Sequence, residues 1–206
     1  MFDGAIMPNQ TAVEKSARWL SQCRSLIDGL SFSTTDRARI AASLYHLSIE
    51  HSTGIHVLVK HDVVGSAFAL SRPQNEAYFR GAWYQLCASE KQVSDFLRSG
   101  TPPKFGKLLE DLEKKDPYCG DSLARMKNEV LHNLNDFTHG GTIQVKARNT
   151  RDEIVQRYKP EHIAGLLASS AVSALLAGVG IAFVADDTIL ANKLLNAYTS
   201  VYGNVL

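Results

Sequence analysis

The chain has none of the short signatures that announce a familiar chemistry. Its 206 residues contain no glycine-rich phosphate loop, no GxSxG elbow and no Ser-His-Asp order, which removes the common nucleotide-cradling and serine-hydrolase classes. Cysteine is scarce. Cys23, Cys87 and Cys119 form no CxxC pair and are odd in number, which argues against both a zinc site and a disulfide framework. Neither sign of charge is in excess, with 22 Lys+Arg against 21 Asp+Glu. No global field therefore attracts nucleic acid, and any such binding needs a local patch. The opening MFDGAIMPNQ lacks a basic n-region and a long apolar h-region, so it does not read as a signal peptide, and the cytoplasm is the default location.

What is present is helical periodicity. With 45% hydrophobic residues the chain can bury a real core. Thr11-Ala-Val-Glu14 reads as a capping box, followed by Val13, Ala17, Leu20 and Ile27 on one face. A second helix starts near residues 33–36 and carries Ile40, Leu44, Leu47, Ile55 and Leu58 at three- and four-residue steps. From about Val63 to Leu97 the pattern continues through Pro73, which either kinks a helix or opens a new one. Residues 99–106 form the clearest loop and lead into a short charged helix. TIQVKA, residues 142–147, alternates apolar and polar as a strand or extended loop does. Pro160 opens a long apolar helix, and Thr188 begins the last one. The expected fold is all-α: one domain of roughly six to eight helices. It has an N-terminal helix at 10–30, a core bundle at about 34–185, a C-terminal helix at 188–203, and a short extended segment or hairpin near 142–158.

One segment competes with a soluble reading. Residues 163–185, IAGLLASSAVSALLAGVGIAFVA, run 23 positions without a charge, and about 20 apolar residues suffice to cross a bilayer. The stretch is rich in Ala and Gly rather than Leu and Phe, contains three serines, and is followed by Asp186-Asp187 with no Lys/Arg bias nearby. Small residues on every side of an apolar helix suit the centre of a bundle, so a core helix is expected and no membrane.

ARMKNEVLHNLNDFTHGG, residues 124–141, places Arg125, His132 and His139 seven apart, hence on one helix face within about 20° per step. Leu123, Met126, Val130, Leu134 and Phe137 cluster opposite. A solvated face explains such a stripe, yet Lys and Glu are better helix formers for that purpose than histidine. His139 stands just before Gly140-Gly141, at a helix C-terminus where an imidazolium is favoured. Asp136 lies four residues after His132 and three before His139, within reach of either ring.

An arginine and a histidine on one helix of a small all-α chain resemble the HEPN superfamily, with Arg125-x6-His132 at the long end of its spacing. RIAASLYHLSIEHSTGIHVLV (39–59) resembles the second helix of HEPN-like bacterial families. LSRPQNEAYFRGAWY (70–84) resembles their Arg-Pro-x-x-Glu helix, and NDFTHGG their polar helix end. The likeness spans roughly residues 35–185. It implies a helical bundle, usually a homodimer, tied to toxin–antitoxin or phage-defence systems, with an antitoxin or other protein partner. It also implies a metal-independent endoribonuclease without cofactor, or a relative of the same fold that only binds. The catalytic set implied is Arg125 to stabilise the phosphorane, His132 or His139 as acid or base, and Asp136 to orient the imidazole. Met126 departs from the family, whose active members carry a polar residue after the arginine.

Three further constellations complete the candidates. Arg72, Glu76 and Arg80 at i, i+4, i+8 form a supporting ladder, either on the surface or buried against the His132 helix. His46, His51, His56 and His61 recur every five residues and so scatter round their helix, which yields no metal site; His51 falls between Leu47 and Ile55 and is expected to face the core. Lys146, Arg148, Arg151, Arg157 and Lys159 make residues 145–159 the one concentrated positive segment, a candidate contact for RNA or an acidic partner.

Overall fold

A computed structural model describes residues 9–115 and 136–203 of the chain. Within them run α1 (Gln10–Ile27), α2 (Asp36–Lys60), α3 (Val64–Leu86), α4 (Glu90–Ser99), α5 (Phe105–Lys115), α6 (Thr142–Lys146), α7 (Pro160–Val184) and α8 (Thr188–Tyr202). The fold is an all-α bundle. TIQVKA is not extended: Thr142–Lys146 forms a short helix, because Asp136 supplies its missing N-terminal acceptor. The expected hairpin begins just after it. Val155 N–H donates to the Arg148 carbonyl at 2.9 Å and Arg157 N–H to that of Ala147 at 2.8 Å, around a turn closed by Thr150 and Glu153.

Local chemistry explains most helix ends. Thr35 caps α2 by accepting from the Ala38 amide, and Pro160 occupies the first turn of α7, where its missing N–H costs nothing. The capping box is not at Thr11, which lies inside α1; it is Ser89 and Gln92 at the start of α4. Pro73 sits inside a continuous α3, where it withholds a donor from the Ala69 carbonyl.

α7 is enclosed by α1, α2, α3 and α8. By length and composition it could cross a membrane, yet 61% of its most apolar 18-residue window is buried within the bundle. Its open side carries Gly165, Ser169, Leu176 and Phe183. Close approach is the reason for its glycines. The Tyr45 ring of α2 lies between Gly81 of α3 and Gly180 of α7. A Cβ added at Gly180 would stand 2.5 Å from Tyr45 Cζ, and one at Gly81 would stand 2.9 Å from Tyr45 Cδ1. The ring is 2% exposed, and its hydroxyl donates to Gln85 Oε1 at 2.7 Å.

Two apolar clusters share these helices. The larger holds Trp19, Tyr45, Trp83, Leu109, Leu175 and Leu194; the smaller holds Ile55, Val59, Val64, Ile163 and Leu167. A polar belt separates them. On α2 it is Ser48 and Ser52, between Tyr45 and Ile55; on α3, Ser71 and Gln74, between Ala67 and Phe79; on α7, Ser170, between Leu167 and Ala171. Gln74, fully buried, donates to the Ser170 carbonyl at 2.9 Å, and Ser52 Oγ lies 2.8 Å from Ser170 Oγ. The belt is only partly satisfied: Ser48 Oγ, Ser71 Oγ and Gln74 Oε1 have no hydrogen-bond partner among the described residues, and each such group costs about 1–3 kcal/mol.

Gly180→Ala tests the glycine contact. Helix propensity alone would stabilise the variant by about 1 kcal/mol. Overpacking against a ring held on two sides costs about 1–3 kcal/mol, so the expected net change in urea unfolding is a loss. A more stable variant would show that the helices have room to part.

Candidate functional site

The polar segment 136–159 is held against one end of α3 by contacts that sequence periodicity does not reveal. Phe137, Phe68 and Tyr158 stack in series, with ring centroids 4.6 Å and 5.2 Å apart. The Arg148 guanidinium carbon lies 5.9 Å from the centroid of Tyr158. Gln144 Nε2 donates to the carbonyls of Gly65 and Phe137 at 3.0 and 3.1 Å, while its Oε1 accepts from the Tyr158 hydroxyl at 2.5 Å. Gln156 Oε1 accepts from the Val64 amide at 3.2 Å, satisfying a first-turn donor of α3, and its Nε2 donates to the Asp62 carbonyl at 2.8 Å. Thr138 Oγ1 reaches the Ala69 carbonyl at 3.5 Å, the acceptor that Pro73 leaves without its helical donor.

Asp136 has a role that sequence spacing does not reveal. Its carboxylate accepts from the Ile143 and Gln144 amides at 2.8 and 3.3 Å and from the Thr142 hydroxyl at 3.3 Å. Those amides are first-turn donors of α6, so Asp136 caps that helix. The double glycine follows from this geometry. Gly140 has φ +67°, and a Cβ at Gly141 would stand 2.4 Å from Asp136 Oδ2. His139 is exposed at the turn between the two helical pieces. Arg125 and His132 lie outside the described residues.

Lys146, Arg151, Arg157 and Lys159 are exposed, and Arg148 is half-buried. Arg157 reaches Glu153 at 3.2 Å and Lys159 reaches Glu161 at 3.9 Å. Lys146, Arg148 and Arg151 have no ion pair among the described residues. A shallow cavity of about 320 Å³ opens beside them, lined by Gly65, Ser66, Ala69, Gly140, Gln144 and Arg148.

A family model matches residues 45–205, from Tyr45 through α8. The chain belongs to a family of unknown function (DUF6988). No curated protein and no solved structure matches it. The matched stretch takes in the whole 136–159 unit and its footing on α3, and leaves α1 outside.

The remaining candidates fall elsewhere. Arg72 Nε–Glu76 Oε1 is 2.8 Å and Arg80 Nη2–Glu76 Oε2 is 3.4 Å, with side chains 20–24% exposed, so the ladder is a partly buried network on α3. Arg80 also donates to the Pro103 carbonyl at 3.3 Å. His51 does not face the core. It is half-buried on the rim of α2, and Leu47 is 37% exposed, because the buried stripe runs through Ala41, Tyr45, Ser48, Ser52, Ile55 and Val59. Partial burial lowers its pKa, opposed by Glu50; burial also lowers that of His56, whose Nδ1 lies 3.2 Å from Ser16 Oγ. Among the described residues no three His, Cys, Asp or Glu side chains converge as a metal site.

Asp136→Ala should therefore cost about 1 kcal/mol, the usual loss of a cap. Amide exchange should quicken first at Ile143 and Gln144. Unchanged exchange at those two amides would contradict the capping role.

Proposed function

We propose that this chain acts on RNA at the end of the bundle built by residues 136–159. The observation that carries the reading is the mounting of that unit. One set of contacts to α3 holds the exposed His139 turn and the exposed cations Lys146 and Arg151 on the same support. Phosphate recognition needs clustered Lys and Arg, and the sequence offers no second cluster of this kind. Lys146, Arg151, Arg157 and Lys159 contact backbone phosphates, while Arg148, stacked on Tyr158, anchors the hairpin. Arg125 and His132 or His139 supply the charge stabilisation and the acid–base step of a metal-independent endoribonuclease resembling HEPN enzymes, acting as a cytoplasmic homodimer in toxin or defence systems.

A second reading has its own support. Asp136 accepts from the α6 amides, which gives its carboxylate a structural role, and Met126 replaces the polar residue of active HEPN enzymes. On that reading the same surface binds RNA or a protein partner without cleaving it.

Purified protein incubated with labelled RNA in EDTA separates the two. The enzyme reading expects cleavage that falls by about 10²–10⁴-fold in Arg125→Ala, or in whichever of His132→Ala and His139→Ala removes the working imidazole. RNA binding without cleavage selects the second reading. Lys146→Glu with Arg151→Glu should weaken RNA binding at low salt by roughly ten-fold or more. Should the wild type bind no RNA, the proposal fails.

A further inference from the structure

The end of α1, the α1–α2 connection, α2 and Ile181 of α7 line a cavity of about 780 Å³. Its floor is apolar and belongs to the main core: Ala42 and Ile49 of α2 and Ile181 of α7 are each no more than 6% exposed. Phe32, from the α1–α2 connection, stands over it and is 39% exposed. Drug-sized ligands occupy cavities of about 300–1,000 Å³ with mostly apolar walls and a few polar groups at the mouth, so the size and lining suit a small molecule.

The mouth selects the sign of charge. Asp28 and Glu50 line it, both exposed and without an ion-pair partner among the described residues. Arg24 is the one full positive charge there, and its Nη2 is turned to Thr53 Oγ1 at 2.8 Å. With histidine neutral the lining carries one net negative charge. The C-terminus of α1 ends at the same place, adding the negative end of its dipole. Phe32 adds an aromatic face, which attracts cations when they are partly desolvated.

We infer that this cavity is a binding site for a small organic cation: an amine on an apolar, ring-sized body. The body lies on Ile49 and Ile181, and the ammonium sits between Asp28 and Glu50 under Phe32. The site is independent of the RNA reading, whose surface is cationic and built from other elements.

Tryptamine and 3-indolepropionate share an indole and a similar tether and differ in the sign of the terminal charge. Titrated into the full-length protein and followed by ¹⁵N chemical shifts, tryptamine should bind in the millimolar range or better, with shifts confined to residues near 24–32 and 42–50. The acid should bind roughly ten-fold more weakly or not at all. Asp28→Asn with Glu50→Gln should erase that preference. Ser43→Trp, which places an indole in the cavity from an exposed helix position, should abolish binding while far-ultraviolet circular dichroism stays helical. Equal or tighter binding of the acid, shifts outside the cavity, or no tryptamine binding would each overturn the assignment.

Discussion

How near α3 and α7 come to α2 is decided at Tyr45. Its ring occupies the space that side chains at positions 81 and 180 would otherwise need, and glycine stands at both. An aromatic ring between two glycines brings three helices together while keeping one large apolar surface in the seam. The rest of the bundle is built outward from that contact. On one side Trp19 meets Tyr198 edge to face at 5.3 Å, joining α1 to α8; on the other Trp83 Nε1 donates to Asp111 at 3.2 Å, joining α3 to α5.

Because three helices are pinned at one level, their other levels are free to differ in character. One step along each helix the packing turns polar, and Gln74 Nε2 and Ser52 Oγ bond to Ser170 where apolar side chains would usually meet. Beyond that belt the smaller apolar cluster carries the footing of residues 136–159, through Phe68 and Tyr158. The candidate RNA surface therefore rests on a core of its own, separated from the larger core by a layer of hydrogen bonds. The cation-binding cavity belongs to the larger core, through Ile49 and Ile181. Two surfaces of opposite charge preference thus rest on two different cores.

The helical class and most helix boundaries were legible because Pro160, Thr35 and the apolar steps act locally. The phase of α2 was legible only in part. Of the expected stripe Ile40, Leu44, Leu47, Ile55 and Leu58, Ile40 and Ile55 are buried, Leu44 and Leu58 half-buried, and Leu47 exposed. The rest of the buried face bears Tyr45, Ser48 and Ser52, because Tyr45 packs between Gly81 and Gly180 and Ser52 bonds to Ser170 of α7, 118 residues away in sequence. The capping role of Asp136 was not legible either: a carboxylate three residues from a histidine suggests an orienting group, and the amides of α6 come within its reach only once Gly140 and Gly141 turn the chain back. The cationic segment was visible in composition. Its mounting was not, since Gln144 and Gln156 are unremarkable letters until the carbonyls and amides they serve are known. The Arg125 and His132 part of the candidate site lies outside the described residues.

Hydrogen exchange with and without a short single-stranded RNA tests the central claim most directly, namely that RNA is met by the end of the bundle resting on the smaller core. The account predicts that RNA slows amide exchange across residues 136–159 and the first turns of α3, and leaves the α1–α2 connection unchanged. Protection centred on the α1–α2 connection, or no change at 136–159 with RNA demonstrably bound, would contradict it.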